Sequence, residues 1–150
     1  MDNEKITFKK RPIPLPAEYR PMYQIAIIAM VLYHCSRAYT ASLQKLHLFS
    51  WALYSDENMK SLKCILDRNS LPMIHWAIDP AVNRALGLAI ADEICVLTSA
   101  KKYKLLPKGV NLINKIEKDT SLFQNEKNNL KQIGKRITDE IVDDLTIKKQ

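Results

Sequence analysis

Glycine is scarce in this chain, with three among 150 residues. Loops that cradle phosphate groups need several glycines within a few positions, because the backbone must approach the phosphates closely. The sequence therefore excludes a glycine-rich nucleotide-binding loop.

Long hydrophobic runs are also missing. The longest uninterrupted apolar run is Ile25–Leu32, far shorter than the roughly 20 residues that cross a bilayer as a helix. The N-terminus has no apolar signal core behind it. We therefore expect a cytoplasmic protein that makes no contact with a membrane.

Cysteine and histidine occur three times each. Cys35, Cys64 and Cys95 are widely separated and form no CxxC pair, so neither a disulfide framework nor a zinc site is expected, and each cysteine should pack as a small apolar residue. The histidines lie on apolar stretches without a serine, cysteine or carboxylate at motif spacing. We expect a protein that is not an enzyme, with no catalytic residue, metal or cofactor.

The positive charge is concentrated in one segment. The whole chain has a formal net charge of +7. Residues 94–118 contain six lysines and one glutamate, which is a net +5. A basic surface favours acidic partners, of which nucleic acid is the most common.

The hydrophobic pattern predicts a helical domain over residues 21–118. Its first helix, Met22–Cys35, opens after Pro21 and is apolar nearly all round. Such a helix must be buried on more than one side, and in a small domain this favours contact with a second protein. The next two helices are predicted at Leu43–Tyr54, capped by Ser42, and at Glu57–Arg68.

A hairpin between two helices follows. Asp79 and Pro80 open a helix that is predicted to end near Glu93. Branched residues predict a strand at Ile94–Leu97, and alternation predicts the return strand at Lys102–Leu105. Pro107, Lys108 and Gly109 are predicted to start a further helix, Val110–Lys118, which is poorly capped because Leu106 stands where a capping residue is common. This order of elements predicts a winged helix-turn-helix.

Two segments flank this domain. Residues 1–20 are polar and then proline-rich, which predicts an extended segment that serves as a surface tail or as a docking peptide. Residues 119–150 are predicted to form one long amphipathic helix, about Ser121–Ile147. The predicted fold class is mainly α with a small β-hairpin, a winged helix-turn-helix with an added long C-terminal helix. The stripe of this last helix is Leu130, Ile133, Ile137, Ile141 and Leu145.

Candidate DNA contacts lie mainly on the hairpin. Its lysines would contact phosphates without reading sequence, or would form a solvated basic surface. The helix before the hairpin offers only Asn83 and Arg84 and is otherwise mostly apolar, so it is a poor reader of bases. The candidate phosphate contacts are Lys101, Lys102, Lys104 and Lys108.

Four stretches together carry a family resemblance: Arg20–Ala26, Leu43–Leu53, Asp79–Leu86 and Tyr103–Gly109. They resemble the middle component of ABC-three-component systems, the group that includes the small accessory subunit of Lamassu anti-phage and anti-plasmid defence. The similarity covers about residues 11–118. It implies an accessory subunit that bridges an SMC- or Rad50-like ABC ATPase and a nuclease-type effector.

With that resemblance, we expect protein interfaces on the proline segment, on the first helix and on the stripe of the last helix. Double-stranded DNA is a further partner, bound without sequence specificity. The rival interpretations are a free winged-helix transcriptional regulator and an antitoxin-like homodimer. The expected interface residues are Pro14, Leu15, Tyr23, Ile27, Val31, Ile133, Ile137 and Ile141.

Overall fold

The computed structural model describes residues 21–68, Trp76 and 78–149. Within them the chain is mainly helical, with a small antiparallel sheet of three strands. The predicted proline-rich segment lies outside the described residues. The elements are α1 (Pro21–His34), β1 (Thr40–Ala41), α2 (Leu43–Tyr54), α3 (Asp56–Arg68), α4 (Pro80–Ala91), β2 (Cys95–Leu97), β3 (Tyr103–Leu105), α5 (Pro107–Lys118), α6 (Gln124–Ile133) and α7 (Asp139–Lys149).

Helix α1 is the centre of the structure. Every residue from Gln24 to Leu32 is buried, because α4 and α5 pack along it and α2, α6 and β3 cover the remaining sides. The prediction that this helix is buried on more than one side is confirmed. The prediction that a second protein supplies the burial is wrong, since the chain's own elements do so. Among the described helices, none is both long and apolar enough to cross a membrane.

The sheet has the order β1-β3-β2, so the return strand of the hairpin is its centre. Lys104 pairs with Thr40 on one side and with Val96 on the other. Successive residues of a strand face opposite sides of a sheet, and accordingly the paired residues Leu105 and Cys95 are buried while Lys104 is exposed. The sequence predicted the hairpin, and β1 adds a third strand at the other side of β3.

The hairpin turns without glycine. Lys101 takes the left-handed conformation, with φ 63°. The backbone N–H of Thr98 donates to the carbonyl of Lys102 at 2.7 Å, and that of Lys101 donates to the carbonyl of Thr98 at 2.9 Å. The turn is therefore closed by backbone hydrogen bonds, with one strained lysine at its tip.

The predicted single C-terminal helix is wrong, because the chain forms α6 and α7 instead. Gly134 ends α6 at φ 59° and ψ −144°, a conformation that is nearly restricted to glycine. Thr138 then caps α7, since its hydroxyl accepts the N–H of Ile141 at 3.3 Å. α6 packs against α1 and α7 against α2, and their buried apolar residues, as far as Leu145, belong to the same core as the rest of the domain.

Two buried lysines close helix ends. The Nζ of Lys45 donates to the carbonyl of Cys35, just beyond α1, at 2.5 Å. The Nζ of Lys127 donates to the carbonyls of Ile116 and Asp119 at 2.6 and 2.8 Å. The last carbonyls of a helix have no partner within it, and these ammonium groups supply hydrogen bonds to carbonyls at or just beyond the ends of α1 and α5.

An ion pair fixes the hairpin to α7. The Nζ of Lys102 lies 2.6 Å from a carboxylate oxygen of Asp139, whose other oxygen accepts the N–H of Ser42 at 3.2 Å. Burial acts to raise the pKa of Asp139, but these hydrogen bonds outweigh it and hold the pKa below its usual value. The hydrogen bond to Asp139 also raises the pKa of Lys102.

The first prediction concerns Gly109, at the start of α5. A Cβ at this position would lie 2.5 Å from the carbonyl oxygen of Ile94 and 2.4 Å from a methyl of Leu105. Gly109→Ala should therefore destabilise the fold by about 1–3 kcal/mol through overpacking. Urea unfolding followed by circular dichroism measures this loss.

Gly87 provides the matched control. It lies on the exposed side of α4, and a Cβ there meets no atom within 4 Å. Gly87→Ala should stabilise the protein by about 0.5–1 kcal/mol, because alanine loses less conformational entropy in a helix. Equal effects of the two substitutions would contradict the close packing at Gly109.

The second prediction concerns Asp139. The pKa of Asp139 is lowered in the folded state, so its carboxylate adds to the free energy of unfolding. That stabilisation is complete above the unfolded-state pKa of about 3.9 and is lost as the pH falls through the lower folded-state pKa. Asp139→Asn should cost about 1 kcal/mol at pH 7, and the two proteins should converge in acid. Asp92→Asn is the control: its pair with Lys108 is exposed on both sides, so a smaller loss is expected. Equal losses would rule out a special role for Asp139.

Candidate interaction surfaces

The four lysines predicted to contact phosphates have unequal surroundings. Lys101 at the turn and Lys104 on β3 are exposed, and neither forms an ion pair among the described residues. Lys102 is held by Asp139 at 2.6 Å. Lys108 lies 2.9 Å from Asp92 in a pair that is exposed on both sides. Only the first two are therefore freely presented by the hairpin.

The helix residues considered for DNA contact lie near the N-terminal end of α4. Asn83 and Arg84 are both exposed. The Nδ1 of His47 accepts the backbone N–H of Asp79 at 3.2 Å, so the imidazole is the neutral tautomer that carries its proton on Nε2. That Nε2–H donates to the Oδ1 of Asn83 at 3.1 Å. The amide of Asn83 is therefore engaged within the chain, whereas Arg84 faces solvent.

Most residues predicted as protein contacts belong to the core, and that prediction is wrong for four of them. Ile27 is 2% exposed, and Val31, Ile133 and Ile137 are fully buried. Ile141 is half-buried and packs against the same core. The apolar pattern that suggested an interface is explained by packing between α1, α2, α6 and α7.

The remaining expected interface residues are Pro14, Leu15 and Tyr23. Pro14 and Leu15 lie outside the described residues. Tyr23 is half-buried, its hydroxyl donates to Glu126 at 2.9 Å, and its ring packs on Phe123 with centroids 5.7 Å apart. Tyr23 therefore links α1 to the start of α6.

Four large apolar side chains that the sequence interpretation missed are exposed on α4 and β2, which together are called the α4–β2 surface. These two elements are consecutive and pack against each other. β2 is also an edge strand of the sheet. The sequence indicates that α4 is too apolar to read bases, and only the structure separates its inward side chains from its outward ones. The exposed fractions are 49% for Leu88, 38% for Ile90, 37% for Val96 and 49% for Leu97.

Helix α5 has an outward face with a different chemistry. Its inward residues, among them Gly109, Ile113 and Ile116, are buried. Its exposed side chains after Pro107 are all lysine or asparagine and repeat at the three- and four-residue spacing of one helix face. Only the lysine count pointed to this face in the sequence. The exposed residues are Lys108, Asn111, Asn114, Lys115 and Lys118.

The one acid on α5 points elsewhere. Glu117 is half-buried and pairs with Lys131 at 2.8 Å and with His34 at 3.1 Å. Burial acts to raise the pKa of Glu117, but the hydrogen bonds from Lys131 and His34 hold it below its usual value. Burial lowers the pKa of His34. Glu117 therefore ties α5 to α1 and α6.

A cleft of about 420 Å³ opens beside α1 and α2. Its imidazole, His47, has both ring nitrogens in hydrogen bonds. The hydroxyl of Ser50, which also lines the cleft, donates to the Oε1 of Gln24 at 3.4 Å. Ser50 and His47 are therefore both engaged with partners other than each other, and the Tyr23 hydroxyl at the same cleft donates to Glu126.

Two of the three cysteines, Cys35 and Cys95, are buried. Burial raises the pKa of Cys35 to about 12 and that of Cys95 to about 11, and thiolate is the reactive form. No group of three or more potential metal-ligating side chains exists within the described part of the chain. These two cysteines behave as apolar core residues.

Comparison of the chain with protein-family models, with curated proteins and with solved structures finds no match. What these surfaces do is therefore inferred from their own geometry and chemistry.

Proposed function

We propose that this chain is a non-catalytic adaptor that binds a partner protein through the exposed apolar surface of α4 and β2. The observation that carries the proposal is the outward position of four large apolar side chains on two consecutive elements. Single exposed apolar side chains are normal on a surface, whereas these four lie on two elements that pack against each other. An edge strand beside them adds backbone groups that a partner can pair with.

The order of elements supports a winged helix-turn-helix scaffold. β1 follows the first helix and joins the sheet beside β3, and α4 immediately precedes the hairpin. In that scaffold α4 occupies the place of the helix that reads DNA, which carries arginine, lysine or amide side chains where it meets bases. Here Leu88 and Ile90 face outward, which favours a protein partner for this helix.

The sequence resemblance supplies the class of partner. We assign the α4–β2 surface to an SMC- or Rad50-like ABC ATPase in the cytoplasm, with a nuclease-type effector as the third component of a defence complex. Non-specific contact with DNA through Lys101 and Lys104 is compatible with this arrangement, because both side chains are exposed on the hairpin.

Two rival functions use the same surfaces differently. An antitoxin-like homodimer would bury the α4–β2 surface against its own copy in a symmetric contact. A free transcriptional regulator would instead place Arg84 of α4 on a DNA duplex. The mass of the purified chain in solution distinguishes the homodimer from the adaptor. The effect of Arg84→Ala on DNA affinity distinguishes the free regulator from the adaptor.

The third prediction tests the adaptor. The chain is co-expressed with the products of its two adjacent genes and purified by an affinity tag. We expect the ATPase to be retained by the unchanged chain and lost with Leu88→Lys or Leu97→Lys, because each places a charge in an apolar contact. Both positions are already exposed, so the fold should tolerate lysine.

Tyr54→Lys is the matched control, since Tyr54 is 68% exposed at the end of α2. It should leave retention unchanged. The chain has a mass of 17.3 kDa. If it purifies as a dimer and becomes a monomer with Leu88→Lys, the result supports the homodimer and contradicts the adaptor. A monomer that retains neither gene product would refute the proposal.

A further inference from the structure

We infer that the outward face of α5 is a DNA-binding surface that enters the major groove of a duplex. This inference is independent of the adaptor proposal, because it uses a different helix and a different chemistry. It also moves the main expected DNA contact from the hairpin to the helix that follows it, where Lys108 was already a candidate.

The geometry of α5 provides one continuous polar face. Its exposed lysines and asparagines occupy a single side of the helix, while Gly109, Ile113 and Ile116 bury the opposite side. From Lys108 to Lys118 the helix rises about 15 Å at 1.5 Å per residue. That length matches about four base pairs of B-DNA at 3.4 Å per step.

The side chains on this face have complementary roles in a major groove. Asparagine binds the N6 and N7 edge of adenine through two hydrogen bonds. Lysine neutralises phosphates and positions the helix. Asn111 and Asn114 lie in the middle of the exposed face, with Lys108 before them and Lys115 and Lys118 after them. Amides at the centre and cations toward both ends suit a helix that lies between two phosphate backbones.

The charges on this face are available. Within the described residues, neither Lys115 nor Lys118 forms an ion pair. Lys108 pairs with Asp92, but both side chains are more than half exposed, so a phosphate can replace the carboxylate at little cost. Lys104, on the strand that leads into α5, adds another exposed cation.

Duplex DNA fits this face better than other acidic partners. The major groove of B-DNA is about 12 Å wide and admits an α-helix. The major groove of duplex RNA is too narrow for side chains to read. An acidic protein surface would use the lysines but would have no need of the two central asparagines.

The test uses the full chain and a fluorescently labelled 20-base-pair DNA duplex, with affinity measured by anisotropy over a range of salt concentrations. We expect Lys115→Gln and Lys118→Gln each to weaken binding several-fold. Each should also reduce the slope of log affinity against log salt by about 0.9, the value for one lost phosphate contact. Circular dichroism verifies that each variant remains folded.

Lys60→Gln is the matched control. Lys60 is an exposed lysine on α3, and its substitution changes the net charge by the same amount. Binding that depends only on total charge would weaken equally in all three variants. That result, or unchanged affinity with Lys115→Gln and Lys118→Gln, would overturn the inference.

The asparagines are tested with a duplex selected from a random pool by the unchanged chain. Asn111→Ala with Asn114→Ala should abolish the preference for the selected duplex over a scrambled one, while affinity for the scrambled duplex stays the same. Duplex RNA and an acidic peptide are measured in parallel. Equal affinity for either one, lost through the same lysine variants, would assign the face to that ligand and refute DNA recognition.

Discussion

The structure depends on the burial of one helix that has no polar face. From Gln24 to Leu32, nine consecutive residues of α1 are removed from solvent. Burial of that much apolar surface strongly favours folding, but only if neighbours surround the helix on all sides. Helices α2, α4, α5 and α6 and strand β3 do so. Each of these five elements therefore packs its apolar side against α1.

Covering α1 on all sides also buries backbone carbonyls near helix ends, and two lysines supply the hydrogen bonds that these carbonyls need. Helix ends expose carbonyls that must be hydrogen-bonded when buried. Lys45 and Lys127 are only 3% and 6% exposed, and their ammonium groups serve the carbonyls just after α1 and near the end of α5. Burial lowers the pKa of Lys45, and the charge of Asp139 counteracts it. The same carboxylate therefore stabilises a buried cation and holds the hairpin lysine Lys102.

Local signals in the sequence predicted the elements well. The bounds of α2 and its cap agree with prediction, since the hydroxyl of Ser42 accepts the N–H of Lys45. The start of α4 also agrees, because Asp79 caps it ahead of Pro80. At the start of α5, Leu106 provides no side-chain cap, as its side chain dictates. These features depend on neighbouring residues alone, so they can be deduced without knowledge of the tertiary structure.

The errors arose where the outcome depended on distant parts of the chain. The apolar residues before and after Gly134 keep helical spacing, so periodicity continued through a position where the backbone turns. The glycine and the capping Thr138 were the signals of a break. Composition also could not distinguish a helix covered by its own domain from one covered by a partner. The exposed residues of α4 and α5 became distinguishable only when their inward sides were fixed against α1.

The two helices that flank the hairpin make the clearest contrast. Both pack against α1, so their inward sides are apolar by necessity and report nothing about function. Packing places no such constraint on their outward sides, yet these differ sharply: α4 exposes Leu88 and Ile90, whereas α5 exposes only lysine and asparagine after its first proline. Solubility alone would favour polar residues on both helices. The departure on α4 is what favours a protein partner, and the absence of exposed acids on α5 is what favours a polyanion.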